Sequence, residues 1–370
     1  MKKQTHLIQF LPYFSPHIWG VEKVWEQIFL KWTHWKSFIL SGNICQQPDV
    51  HKEIVDNKII YFFPCIEIVD NFIFPSIWTK RFWKVWKEFS QEVQNSRESG
   101  DIKILTHTRF FLSSLMGWIF ARRYTYSWIH LEHGSEYVKL SSPIKSKIAY
   151  FYDRLIGKWI YKKADGVLAI SWASKKFIET HFWRKEVHVW YRGFDFPKPC
   201  IKQWEKHFVF IGRLVYLKWV KDLLQAYKKM WNISKLIIIG DGEERSSLEK
   251  EFWDAYITFL WHQEHDSVIE YLSQNNCIVI NPSYQEGLPT TVIEALATQN
   301  VVIASNVWGT SEISRQEDLI LFEAWNREEL FKKMMFAYTH FEDMKWKSYP
   351  TLRATFDWEK SMEHLYNSLK

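Results

Sequence analysis

Two doubly wound, Rossmann-like α/β domains facing a central cleft are what this sequence predicts, and three features predict it. Short apolar runs alternate with helical patterns along the chain, the signature of parallel strands joined by crossover helices. The length of 370 residues suits two domains of ordinary size. The stretch Phe194 to Lys206 holds two prolines and little periodicity, and reads as an interdomain linker.

In chain order, strands are expected near His6–Phe10, Phe38–Leu40, Ile59–Phe63, Ile102–Leu105, Ser127–Leu131, Gly166–Ala169 and Val187–Val189. Beyond the linker they are expected near His207–Ile211, Leu236–Ile239, Ile257–Leu260, Cys277–Ile280 and Val301–Ala304. Helical patterns at Lys221–Met230, Arg245–Trp253, Ser267–Ser273 and Thr291–Thr298 lie between the later strands, and Trp358–Leu369 is amphipathic.

Composition narrows the class. Hydrophobic residues make up 47% of the chain, enough for a real core, and the net charge of +6 permits an anionic ligand or membrane surface. There is no dense Lys/Arg tract, so nucleic acid is not indicated. Cys45, Cys65, Cys200 and Cys277 are scattered, which suggests a reducing cytosol, not a disulfide scaffold or zinc site. No apolar run approaches the ~18 residues that span a bilayer. The segment Met1 to Phe14 reads as a first strand and not as a signal peptide. A cytoplasmic protein, possible at the inner face of a membrane, is expected.

The most informative segment is Asn281 to Leu296, Asn-Pro-Ser-Tyr-Gln-Glu-Gly-Leu-Pro-Thr-Thr-Val-Ile-Glu-Ala-Leu. An apolar strand precedes it, and Pro289 suits the first position of a helix. A strand feeding a helix through a tight loop aims backbone N–H groups beyond the sheet edge, an arrangement that binds phosphate. Glu286 lies just before the helix and Glu294 within it, so one carboxylate can reach past the phosphates and the other back to a ribose. The alternative is a capped core helix with two solvated glutamates. Upstream, Gly212 lets the backbone turn closely after a strand, and Arg213 and Lys218 can neutralise a departing diphosphate or serve as surface cations. Leu236-Ile-Ile-Ile-Gly-Asp-Gly-Glu-Glu and Ile257-Thr-Phe-Leu-Trp-His are further strands ending in loops.

Together the order is G-R-x(4)-K, a strand with G-D-G-E, F-L-x-H, then E-G-L-P-T-T-x(2)-E-A. This closely resembles the family-4 retaining glycosyltransferases of the GT-B fold. Weaker pieces in the first half agree: Pro16-His-Ile-Trp-Gly-Val-Glu22, Thr106-His-Thr-Arg109, Glu132-His-Gly-Ser135, Lys163 to Ser171, and Tyr191-Arg-Gly-Phe-Asp195, where Arg192 replaces the usual Asn.

The resemblance implies transfer of a hexose from a UDP- or GDP-linked donor to a hydroxyl acceptor, in cell-envelope glycan or glycolipid synthesis, with no cofactor. Residues 1–196 would bind the acceptor and residues 205–354 the nucleotide sugar, with helix 355–370 packing back on the first domain. Glu286 would hold donor sugar hydroxyls, with Gly287, Leu288 and Pro289 as the wall around them. Backbone N–H groups near Thr290 and Thr291 would take the phosphates, Glu294 the ribose diol, and the loop at His262 the nucleobase. Arg213 and Lys218 would stabilise the leaving diphosphate, removing the need for a metal. Gly20 would approach the phosphates from the other domain. His133 or His107 would lie near the acceptor hydroxyl, with His133 favoured because a flexible Gly134 follows it. The rival readings are a nucleotide-sugar-binding protein without catalysis and a GT-B epimerase or phosphorylase.

One departure stands out. Tryptophan outnumbers glycine, 22 to 13. Trp19, Trp219, Trp261 and Trp308 stand where the family has glycine, as though UGA codons read as glycine had been translated as tryptophan. If they are true tryptophans, they would partly fill the diphosphate pocket. Separately, Trp78 to Phe89 mixes aromatics with Lys80, Arg81, Lys84 and Lys87. It either contacts an anionic membrane, delivering a lipid acceptor, or docks its aromatic face on the first domain, which is the favoured reading.

Overall fold

The computed structural model describes residues 4–14, 20–43, 51–69, 72–138, 143–198, 200–203, 205–231, 233–284, 286–307, 309–313, 319–345, 347 and 349–370. It divides into two compact units, residues 1–192 with 358–370, and residues 193–357.

The first unit runs β1 (Thr5–Leu11), α1 (Gly20–Lys31), β2 (Ser37–Asn43), β3 (Lys52–Val55), β4 (Lys58–Val69), β5 (Phe72–Pro75), α2 (Lys80–Asn95), β6 (Asp101–His107), α3 (Leu112–Tyr124), β7 (Ser127–Glu132), α4 (Pro143–Lys163), β8 (Gly166–Ala169), α5 (Trp172–Phe182) and β9 (His188–Val189). The sheet order is β3-β4-β2-β1-β6-β7-β8-β9, with β5 also on β4. All pairings are parallel except those of β3 and β5 with β4. The central strands are apolar on both faces because helices cover both. Phe10 illustrates this packing: its ring meets Phe89 of α2 edge-on, with 5.8 Å between centroids.

Helix α2 covers the segment expected to be either membrane-facing or docked. Thr79 caps it, accepting from the Phe82 N–H at 3.2 Å. Phe82, Val85, Phe89 and Val93 are buried at helical spacing, so the aromatic face is turned into the core. Trp78 and Trp83 are left outside.

The second unit runs β10 (Lys206–Ile211), α6 (Val220–Lys228), β11 (Leu236–Ile239), α7 (Arg245–Glu251), β12 (Ile257–Leu260), α8 (His265–Gln274), β13 (Asn276–Asn281), α9 (Thr290–Ala297), β14 (Val301–Ser305), β15 (Ile320–Phe322), α10 (Arg327–Thr339), α11 (Phe341–Met344) and α12 (Tyr349–Thr355). Its order, β12-β11-β10-β13-β14-β15, is parallel throughout. The chain winds outward from β10 to β12 and then returns to β13 on the other side of β10. The sheet therefore reverses between β10 and β13. In the first unit the corresponding reversal lies between β1 and β6. Ligands of such sheets bind beyond the carboxyl ends of the strands at that reversal.

The final helix, α13 (Trp358–Ser368), belongs to the first unit. Met362, Leu365, Tyr366 and Leu369 join Leu7, Ile28, Trp32 and Leu105 in one cluster. The Trp190 indole donates to the Ser361 carbonyl at 2.9 Å. Among the described residues, no helix is long and apolar enough to cross a membrane. Leu365 is fully buried. Leu365→Ala should therefore destabilise this unit by about 2–5 kcal/mol, read as a lower urea midpoint with unchanged slope.

Candidate functional site

In the second unit the loops after β10 and β13 meet at the sheet reversal. The first turns at Gly212 and runs through a 3₁₀ turn, Tyr216–Lys218. The second spans residues 282–289 and ends at α9. The Tyr284 N–H donates to the Leu217 carbonyl at 2.9 Å, which ties the two loops together. Lys218 Nζ lies 2.5 Å from Glu286 Oε1, with both side chains largely shielded. Lys218 and Glu286, expected to hold different parts of a ligand, thus hold each other. Asn281 supports the carboxylate: its amide reaches Glu286 Oε1 at 3.5 Å and Thr291 Oγ1 at 3.4 Å, while its Oδ1 accepts from Ser283 Oγ at 2.6 Å.

Pro289 is the N-cap of α9 and not its first helical residue, which is Thr290, and no side chain caps the first turn. Thr290 and Thr291 are half-buried there. This leaves an end with partial positive charge. Leu288 is buried in the wall before it. Gly309 has φ of 77°, and a Cβ on it would collide with the Gly287 carbonyl. The two backbones can approach this closely only because Gly309 has no side chain. The same holds one loop away, where a Cβ on Gly240 would strike the Gly212 carbonyl.

Glu294 is buried, and its Oε1 lies 3.2 Å from Nε2 of His265 on α8. His265 was not expected from sequence, since 29 residues separate the pair. Arg213 and His262 are exposed on their loops.

The tryptophans divide. Trp219 is 4% exposed and turned into the core, its ring stacked on Phe322. Its ring also lies 5.4 Å from that of Tyr284 in the 282–289 loop. Trp261 is exposed and lies beneath the Arg245 guanidinium. Trp19 and Trp308 fall outside the described residues. Gly20 is the first residue of α1.

The first unit carries a second polar cluster, at the ends of β6 and β7. Arg109 is 2% exposed; it pairs with Glu132 Oε1 at 3.1 Å and donates to Asp153 Oδ2 at 2.9 Å and to the Glu136 carbonyl at 2.7 Å. Burial alone would raise the Glu132 carboxyl, but Arg109, the neighbouring His130 and a hydrogen bond from the Tyr161 hydroxyl hold it well below its ordinary range. Burial wins at Asp153, which is pushed up despite Arg109. Arg109 and Glu132 were legible in the sequence only as parts of strand-end motifs. Asp153 gave no signal, since it lies 44 residues from Arg109.

His133 is buried with His107, its Nε2 3.2 Å from His107 Nδ1, and His107 Nε2 lies 3.0 Å from Gln9 Oε1. With both imidazoles neutral and Gln9 accepting through oxygen, His107 Nε2–H donates to Gln9 Oε1 and His133 Nε2–H donates to His107 Nδ1. Burial lowers His107 well below its ordinary value. Burial, partly opposed by Glu132, lowers His133 to about 3. Gly134 is not the flexible residue expected: its N–H donates to Glu132 Oε1 at 2.7 Å, so the carboxylate fixes the turn that carries His133. Thr108, between His107 and Arg109, stands at φ of 56°, a strained conformation for a β-branched residue.

Residues 192–343 match the family described as Glycosyl transferases group 1, and residues 47–196 match Glycosyltransferase Family 4. An uncharacterized glycosyltransferase of Methanocaldococcus jannaschii is 32% identical over 84% of this chain and 83% of its own length. The N,N'-diacetylbacillosaminyl-diphospho-undecaprenol alpha-1,3-N-acetylgalactosaminyltransferase of Campylobacter jejuni is 25% identical over 43% of this chain and 41% of its own. Among solved structures, sucrose-phosphate synthase of Thermosynechococcus elongatus superposes with a TM-score of 0.75 at 16% identity, covering 99% of this chain and 98% of that one. HepE of Anabaena, in complex with UDP-glucose, gives 0.71 at 15% identity, covering 99% of both chains. Both structures share the two-domain GT-B fold.

Because His107 and His133 are held neutral, the unfolded chain binds more protons than the folded one below about pH 6.5. Stability should be full above that pH and fall toward about pH 3. His133→Gln should flatten that fall in urea titrations. Arg109→Ala should cost about 3–5 kcal/mol, because it strands two buried carboxyls.

Proposed function

Because this chain belongs to the family-4, group 1 glycosyltransferases, we propose that it moves a hexose from a nucleotide-diphosphate donor to a hydroxyl acceptor with retention at the anomeric carbon. The observation that carries the reading is the Lys218–Glu286 pair at the β10/β13 reversal, beside the uncapped start of α9. A cation, a carboxylate and a positive helix end converge there. That is the set a sugar diphosphate needs: hydroxyls for the carboxylate, phosphates for the cation and the backbone N–H groups.

At rest Lys218 and Glu286 neutralise each other. An incoming diphosphate offers Lys218 more negative charge than one carboxylate, and the sugar hydroxyls offer Glu286 new donors. Ligand binding would thus exchange one pair for two contacts. As the glycosidic bond breaks, charge builds on the departing phosphate, and Arg213 with Lys218 would stabilise it. Gly212, Gly287, Leu288 and Pro289 would wall the donor, Thr290 and Thr291 would present N–H groups to the phosphates, and His262 would border the base. Glu294 would take the ribose diol, with His265 orienting its carboxylate. His133, neutral over the working range, would position the acceptor hydroxyl by a hydrogen bond, not abstract its proton.

The solved relative HepE holds UDP-glucose and the Campylobacter enzyme is named for a lipid-diphosphate acceptor. They support a UDP-linked donor and a lipid-linked acceptor as the first pair to try. A binding protein without catalysis is the second reading.

A panel of UDP- and GDP-hexoses should raise the melting temperature for one base and sugar, and that donor should support transfer or slow hydrolysis. Arg213→Ala should lower turnover by roughly 10²-fold. Turnover within a few-fold of the unmodified enzyme would remove Arg213 from the mechanism, and binding with no turnover would leave only the binding reading.

A further inference from the structure

We propose that the outer face of α4 docks on an anionic bilayer. Ile144, Ile148, Phe151 and Leu155 follow at i, i+4, i+7 and i+11, so they share one face. They are 75, 65, 59 and 71% exposed. The opposite face is already used: Ala149, Ile160 and Tyr161 are buried, and Asp153 is locked to Arg109. The helix is therefore apolar on both sides, which a helix meeting only water has no reason to be. Charge selects the occupant. The helix has six cations, Lys145, Lys147, Arg154, Lys158, Lys162 and Lys163, and one acid, the buried Asp153. Cations bordering an apolar stripe suit acidic headgroups over acyl chains, and they repel a second copy of the same face. This places the membrane contact on α4 and not on α2, whose aromatic face is turned inward.

Flotation with vesicles of phosphatidylglycerol and phosphatidylcholine tests it. The protein should float with these vesicles, less so at high salt and less with pure phosphatidylcholine. Ile148→Asp and Leu155→Asp should each reduce the bound fraction by about tenfold, while the melting temperature stays unchanged because both side chains are exposed. No flotation, flotation unaffected by these variants, or loss on Trp83→Ala instead would overturn the proposal. Donor binding is measured separately, so its failure would not be confused with this one.

An independent observation concerns the tryptophans. Among the described residues, eight non-glycine residues have positive φ, and four are tryptophan: Trp183, Trp219, Trp231 and Trp325. Tryptophan is 22 of 370 residues, so chance would place fewer than one there. Trp183 closes α5 and Trp219 closes the 3₁₀ turn, both in the left-handed slot that glycine fills. Trp183, Trp231 and Trp325 are 67, 91 and 61% exposed, so little burial offsets the strain. Other tryptophans behave as tryptophan should. Trp32, Trp128 and Trp190 are buried, and their indoles donate to the Thr5 carbonyl, Thr106 Oγ1 and the Ser361 carbonyl. We infer that positions 183, 219, 231 and 325 are glycine in the cell, encoded by UGA read as glycine.

Gene sequencing and peptide mass mapping of the protein from its own cells decide this. UGA codons and glycine masses are expected at those four positions, with UGG and tryptophan at 32, 128 and 190. UGG codons or tryptophan masses at the four would overturn it. In the tryptophan-bearing chain, Trp183→Gly, Trp231→Gly and Trp325→Gly should each raise the melting temperature by about 2–4 °C, and no gain at any of them would count against it equally.

Discussion

Where a parallel sheet reverses its winding, the two connections leave on opposite faces, and a crevice opens at the carboxyl edge between them. This constraint organises each unit. In the second it places the Gly212–Lys218 loop beside the 282–289 loop, and so brings together side chains 68 residues apart in sequence. In the first it places the end of β6 beside β1, where His107 can reach Gln9. The chemistry of each cluster depends on that topology more than on any one side chain.

The two clusters are built on different electrostatic plans. Around Arg109 a guanidinium and two carboxyls are almost wholly removed from water, so each depends on the others for solvation. Such a network contributes little net stability, yet removing one member is costly, and this makes it a rigid support. It fixes Glu132, and Glu132 in turn fixes the Gly134 turn beside His133. The Lys218–Glu286 pair is less enclosed. Water and ligand can compete for it, and a partly solvated pair contributes little to stability. It is the kind of contact that can open without threatening the fold.

Backbone proximity sets a further limit. Gly309 against Gly287, and Gly240 against Gly212, are contacts between main chains that no side chain would allow. A protein relying on such contacts needs glycine in quantity, while this chain has only 13. Large indoles in left-handed turns are the other side of that shortage. At positions 183, 231 and 325 the indole stays more than half exposed. At position 219 it is pressed into the core.

The central strands were legible because parallel strands covered on both faces read as continuous apolar runs, as at Ile237 to Ile239 and Cys277 to Ile280. The edge strands β3 and β5 were not, since Lys52–Val55 is short and half charged, and Phe72–Pro75, though apolar, is four residues ending in proline. Glycine, proline and glutamate at 286–294 could be read because loop and helix chemistry is local. The family and its GT-B fold could be read from the order of such motifs. Tertiary structure alone paired Lys218 with Glu286, His265 with Glu294 and Arg109 with Asp153, turned α2 inward, and left the apolar face of α4 outside. Those outcomes depend on which residues from distant segments meet and lose water together, and spacing along a chain carries no record of that.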